Sequence, residues 1–227
     1  AGKTVGFSGV SPRLIVIASP PMRECSEFTV AALFVQHNGA YAVPGVDMWP
    51  EWRDARLYDG PFPVVAHPPC ERWGAFARGG PNPYSKRSLP GDDGGCFESA
   101  LASVRRWGGV LEHPAGSLAF KQFNLGTPVQ GAWVKSPEAG WITEVNQGAY
   151  GHVAKKATWL YCAGKATPDL RWHVDYSPAL WEHRFKAHIV EKVRSVGAIQ
   201  HLGKRERSAT PAEFKDLLLS IARGPNA

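Results

Sequence analysis

A chain of 227 residues holds one substantial hydrophobic core and is short for two. Its 44% hydrophobic content excludes a disordered chain, and no apolar run reaches the length of a membrane span, so the expectation is a single cytoplasmic domain over residues 1–227 with no membrane partner. The net charge of +6 suits a polyanion such as DNA, and Cys25, Cys70, Cys96 and Cys162 lack metal-type spacing and fit a reducing compartment.

Residues 1–11 are small and glycine-rich and are expected to be loose. Leu14–Ala18 is a clean apolar run that reads as a strand and is broken by Ser19-Pro20-Pro21; Glu24–Phe28 reads as a helical turn. Val30–Val35 is a second strand. Gln36–Gly45 is loop-like, and Asp47 and Asp54 follow as loop carboxylates. Val64–Ala66 is a short buried strand that stops at His67-Pro68-Pro69-Cys70, because successive prolines cannot donate to a sheet ladder. Residues 71–96 carry too many glycines and prolines for a regular element; beside Cys70 they read as a long active-site loop, with Lys86 and Arg87 as phosphate contacts.

Phe97–Trp107 is the clearest helix. Phe97, Leu101 and Val104 form one apolar stripe, Asp92 and Asp93 stand before the positive helix end, and Gly108-Gly109 close it. Val110–Glu112 then repeats the earlier design, a short strand stopped at His113-Pro114. Phe120–Ala139 reads as irregular, Gly140–Gln147 and Ala157–Cys162 as strands, and Ala149–His152 as the loop between them. Asp169–Gly203 is ambiguous. The segment 205–223 reads as a basic stretch and a C-terminal helix, with Thr210-Pro-Ala-Glu213 as a capping box and Phe214, Leu217, Leu218 and Ile221 as its buried stripe. Short strands alternating with a patterned helix predict a three-layer α/β domain with a mixed sheet.

If the two proline-stopped strands are parallel neighbours, Cys70 and Glu112 meet at the carboxyl edge of the sheet, where α/β folds bind ligands. A thiol and a carboxylate there suit nucleophilic catalysis assisted by an acid. That chemistry asks for a depressed thiol pKa, supplied by His67 or Arg72, and a raised carboxyl pKa, supplied by burial. Gln147, Tyr150, His152 and Lys156 gather further polar chemistry around one hairpin.

Ala-His-Pro-Pro-Cys (Ala66–Cys70) followed by Glu-His-Pro (Glu112–Pro114) resembles the DNA cytosine carbon-5 methyltransferases, and more closely the methyltransferase-like proteins of phages and prophages, over about Ala31–Tyr161. The resemblance implies a reduced Rossmann-like methyltransferase fold and a DNA base-modifying transferase acting at carbon 5 of a pyrimidine, with Cys70 adding to ring carbon 6 and Glu112 acting at ring nitrogen 3. It implies a substrate-binding set of His67, Arg72, His113, Gln147, His152 and Lys156, the last two within a Gly-His-x-x-x-Lys-x-Thr pattern at Gly151–Thr158. Asp47 and Asp54 would then hold S-adenosylmethionine, and Lys86, Arg87, Lys204, Arg205 and Arg207 would hold DNA. No glycine-rich turn follows Val30–Val35, and the interval before Asp47 has no room for a helix, so another donor stays open, as in hypermodification of phage DNA. A non-catalytic nucleic-acid-binding protein is the third reading.

Overall fold

The computed structural model describes residues 28–74, 89–152, 156–164, 167–173 and 208–224. The strands are β1 (Val30–Leu33), β2 (Val46–Trp49), β3 (Val64–Ala66), β4 (Gly109–Pro114), β5 (Val134–Lys135), β6 (Trp141–Asn146) and β7 (Ala157–Cys162). The helices are α1 (Cys96–Trp107), α2 (Leu118–Gln122) and α3 (Ala212–Arg223). The strands form one seven-stranded mixed sheet in the order β2-β1-β3-β4-β7-β6-β5. The core β2-β1-β3-β4 is parallel, and β7, β6 and β5 continue it antiparallel.

The β3-α1-β4 unit has the predicted composition. Asp93 starts α1: its Oδ2 accepts from the Phe97 amide at 2.9 Å and its Oδ1 from Gly95 at 3.0 Å, which satisfies amides that the first turn leaves unpaired. Phe97, Leu101 and Val104 are buried, each such side chain contributing roughly 1.5–3 kcal/mol. Gly109 opens β4 at φ 113° with Val64 of β3 pressed against it, so a Cβ there would collide with the Val64 backbone. Val64 pairs with Gly109 and Ala66 with Leu111, where β3 ends, while β4 runs on to Pro114 alongside β7.

The two faces of the sheet carry separate clusters. Ala31, Leu33, Val64, Ala66 and Leu111 meet α1 on one side; Val30, Ala32, Val65 and Val110 meet α3 on the other. Phe214, Leu218, Leu219 and Ile221 of α3 are buried, and Leu217 is partly so.

Several elements differ from the sequence reading. Asp47 lies in β2, an edge strand, rather than in a loop. The stretch expected to be irregular after Phe120 contains the end of α2 and the two-residue β5. Gln147 starts a 3-10 turn, Gln147–Tyr150, instead of ending β6. The capping box at α3 does not form. Pro211 occupies the cap position with no side-chain hydrogen bond, and Glu213 pairs with Arg171 at 2.6 Å instead of reaching back along the helix. Leu14–Ala18, Cys25, Lys86, Arg87, Lys204, Arg205 and Arg207 lie outside the described residues, as do 75–88 of the long loop. Among the described residues no helix is long and apolar enough to cross a membrane.

Candidate active site

Because β3 and β4 are parallel and in register through Ala66 and Leu111, the next residues of each, His67 and Glu112, stand side by side. Strand alternation turns both to the face of Val65 and Val110. Glu112 Oε2 lies 2.9 Å from His67 Nδ1, and His67 Nε2 lies 2.7 Å from the Tyr41 hydroxyl. On the other side, Gln147 Nε2 donates to Glu112 Oε1 at 3.2 Å and to Thr158 Oγ1 at 2.9 Å. Thr158 donates to the Lys156 carbonyl at 3.2 Å. One polar chain thus runs from Tyr41 through His67, Glu112 and Gln147 to Thr158. The His67 and Glu112 side chains are 15% and 12% exposed, so most water is excluded from the pair.

Burial raises the Glu112 pKa, but the His67 hydrogen bond and the positive influence of His67, Lys156 and His113 outweigh it, and the carboxyl is held below its ordinary value. Glu112 is therefore an acceptor. Glu112 Oε2 accepts from His67 Nδ1–H, and the Tyr41 hydroxyl shares a hydrogen bond with Nε2; burial, then the charges of Glu112 and Asp216, keep the Tyr41 phenol protonated well above its ordinary range. Cys70 is an exposed residue three positions beyond His67. Its thiol sits against enough protein that burial pushes its pKa up, with Glu112 adding to the effect and Lys156 opposing it. Lys156 in turn is lowered by burial and raised by Glu112 and Cys70. These mutual effects put Cys70, Glu112 and Lys156 within electrostatic reach of one another.

Both pKa directions are the reverse of the sequence expectation. The thiol is raised rather than depressed, because burial and then the charge of Glu112 outweigh the opposing charge of Lys156. The carboxyl is lowered rather than raised, because His67 bonds to it directly.

Of the predicted substrate-binding residues, the structure gathers His67, Gln147 and Lys156 around Glu112. His152 is buried on the same hairpin, its amide donating to the Gln147 carbonyl at 3.0 Å. Arg72 lies in the turn after Cys70, its carbonyl accepting from Gly91 at 2.8 Å. His113 faces the other way. It is fully buried on the α1 side, edge-on to Phe97 with ring centroids 5.2 Å apart. Neither of its nitrogens has a hydrogen-bond partner, although the Pro69 carbonyl is close enough to favour its charged form. Burial brings its pKa down to about 4.

Asp47 and Asp54 do not fit the cofactor role that the resemblance implies. Asp47 Oδ1 takes Arg53 at 2.6 Å and Oδ2 takes Trp49 Nε1 at 2.9 Å, while Arg53 stacks over the Trp49 ring at 3.9 Å. Asp54 pairs with Arg56 at 2.7 Å. Where a glycine-rich turn would follow β1, Phe34 takes a left-handed conformation, φ 59°.

Tyr41 and Thr158 are the participants that sequence reasoning missed. Thr158 lies inside the Lys-x-Thr pattern and was open to assignment from it. Tyr41 sits in an otherwise featureless loop and meets His67 only through the fold. A cavity of about 300 Å³ lies on the α1 side, lined by Trp73, Asp93, Glu98 and Phe123 among others; none of the relay residues lines it, so the site is located by its chemistry and not by concavity. No protein-family model matches the chain, and comparison with curated proteins and with solved structures finds no match either.

Proposed function

We propose that the protein is a DNA base-modifying transferase that acts at carbon 5 of a pyrimidine, on a reduced three-layer scaffold of the Rossmann-like methyltransferase type. The observation that carries the reading is the parallel register of β3 and β4, which sets His67 beside Glu112 where β3 ends, three residues before Cys70.

Carbon 5 of a pyrimidine is a weak nucleophile. Addition of a thiolate to carbon 6 moves an electron pair into the ring and makes carbon 5 enamine-like. The Cys70 thiol holds its proton in the free protein, so this reading assigns its activation to the bound state. As the sulfur adds, the thiol proton passes to Glu112, which removes the carboxylate charge that holds the thiol pKa up and leaves the Lys156 ammonium to favour thiolate. The negative charge that develops on the ring is met at nitrogen 3 by the Glu112–His67 pair. Glu112 presents the thiol proton to the ring, while His67 keeps its Nδ1 hydrogen on the carboxyl group and Tyr41 holds the imidazole in orientation. A base in a duplex must be flipped out to reach the edge, and the net charge of +6 supports a phosphate backbone as partner.

The pairing of Asp47 with Arg53 and Trp49, together with Phe34 at the end of β1, favours a donor other than S-adenosylmethionine. Intact-mass measurement of a defined DNA tests the reading. The full chain is incubated with the DNA and either S-adenosylmethionine or a small-molecule extract of phage-infected cells. A mass gain lost in Cys70→Ser supports a transferase, and its size identifies the group. A gain that survives Cys70→Ser refutes the proposed mechanism. No gain under either condition leaves the nucleic-acid-binding reading in its place.

A further inference from the structure

The cavity of about 300 Å³ on the α1 side takes no part in the chemistry above. It lies beside the first turn of α1, between the turn that follows Cys70 and the end of α2. Its walls are tied together. The Leu118 amide of α2 donates to the Trp73 carbonyl at 2.8 Å, and the Gly91 amide donates to the Arg72 carbonyl at 2.8 Å. Trp73, Phe97 and Phe123 pack against one another, with ring centroids 5.1 to 5.8 Å apart. A Cβ on Gly91 would stand 2.9 Å from the Trp73 ring, so the chain crosses the indole at a distance only glycine permits. These ties preform the cavity, as is usual for small-molecule sites.

The lining carries two negative charges and no positive one. Trp73 and Phe123 supply aromatic walls, Asp93 and Glu98 supply carboxylates, and Gln122 supplies a side-chain amide. The Trp73 indole N–H donates to Asp93 Oδ2 at 2.8 Å, and the amides of Gly95 and Phe97 donate to the same carboxylate at 3.0 and 2.9 Å. All three donors are neutral, so the charge of Asp93 is oriented but not cancelled. Glu98 is exposed, and among the described residues neither carboxylate has an ion-pair partner. A helix N-terminus presents about half a unit of positive charge. Two full carboxylate charges outweigh it here, on a chain whose net charge is +6. Aromatic rings beside carboxylates suit a cation with an apolar body: the rings attract positive charge, and the carboxylates accept its N–H hydrogens.

We infer that this cavity binds an organic ammonium ion, a primary amine carried on an apolar body, at a site separate from the Cys70 edge and independent of the pyrimidine reading. The body lies against Trp73 and Phe123. The ammonium group donates to Glu98 and to the Asp93 oxygen that takes only one amide, and the Gln122 side-chain oxygen offers a third acceptor. An anion of the same shape is repelled by both carboxylates, and a neutral ligand forgoes both attractions.

Ligand-observed NMR titration of the full chain with phenethylammonium, 2-phenylethanol and phenylacetate tests this, since the three share one apolar body and differ in charge. The wild type is expected to bind the ammonium ion at least about tenfold more tightly than the alcohol, and phenylacetate more weakly still. Glu98→Gln is expected to weaken the ammonium ion about threefold and Glu98→Lys about tenfold, with the affinity for the alcohol unchanged. Glu98 is exposed and makes no bond that the fold needs, whereas Asp93, which starts α1, is left intact. Equal affinity for the three ligands, or no binding of the ammonium ion, overturns the inference. Ammonium binding that both Glu98 variants leave unchanged also overturns it, because the ligand then sits elsewhere.

Discussion

His113 is a buried base whose ring nitrogens make no hydrogen bond in the folded protein, and acid should find it. Its ring is fully buried between β4 and α1, against Phe97, and its pKa is about 4, lowered from an ordinary 6.5 by burial. In the unfolded chain the imidazole takes a proton below pH 6.5; in the folded protein it resists until about pH 4. The unfolded state therefore binds more protons through that window, and stability falls as the pH falls across it. The displacement of about 2.5 units corresponds to about 3 kcal/mol, a large share of the usual stability of a single domain. Glu112 acts in a different window. Its carboxyl is lowered, so its contribution is present above its ordinary pKa and is lost only as the pH falls further, through its folded value. The assay is urea unfolding of the wild type and His113→Leu at intervals from pH 8 to pH 4. Leucine fills much of the same space without nitrogens to bury, so the variant should match or exceed the wild type at pH 7 and lose about 3 kcal/mol less on the way to pH 4. Parallel pH profiles for the two proteins would refute the assignment of a neutral, unpartnered imidazole at this position.

Cys70 should alkylate more slowly at pH 7 than an unperturbed thiol, as followed by peptide mass mapping, with Glu112→Gln speeding the reaction and Lys156→Met slowing it, because the first removes a charge that raises the thiol pKa and the second one that lowers it. Buried Cys162 should stay unlabelled in the native protein. Gly109→Ala should cost about 3 kcal/mol or more in chemical unfolding, since both its φ of 113° and the Val64 backbone oppose a side chain. Affinity for duplex DNA should fall steeply with salt, and Arg205→Ala combined with Arg207→Ala should flatten the slope of log affinity against log salt by about one to two units; an unchanged slope would put the DNA elsewhere.

What could be read from the sequence depended on whether neighbours along the chain carried the signal. β3, α1 and β4 were legible because their apolar patterns are local and are bounded by prolines, glycines and Asp93. Their parallel pairing followed from the helix between them. β2 was not legible: Val-Asp-Met-Trp buries only Val46 fully and relies on β1 for its hydrogen bonds. The capping box at Thr210 was legible and misleading, because Arg171 offers Glu213 a charged partner that its own helix end does not.

Within the site, period-two alternation already forbade one assignment. Glu112 and His113 are adjacent in a strand and must face opposite sides of the sheet, so both could not serve one pocket. The pKa directions were beyond reach, since they depend on which partner each group meets. Glu112 meets His67 across two strands, and Cys70 is governed by burial and the charge of Glu112 more than by Lys156. Tyr41 enters only because the loop after β1 folds back over the end of β3.

The central claim is that the Cys70 sulfur adds to a pyrimidine ring with Glu112 beside it. Hydrogen exchange at carbon 5 tests that step without any donor. In deuterium oxide, thiolate addition at carbon 6 lets carbon 5 take a deuteron from solvent; loss of the original proton and departure of the thiolate restore the ring, now deuterated. The account predicts loss of the H5 proton resonance from cytosine in a DNA oligonucleotide incubated with the full chain. It predicts no exchange with Cys70→Ser and exchange slowed by about a hundredfold or more with Glu112→Gln. No exchange by the wild type, or equal exchange by Cys70→Ser, would contradict it.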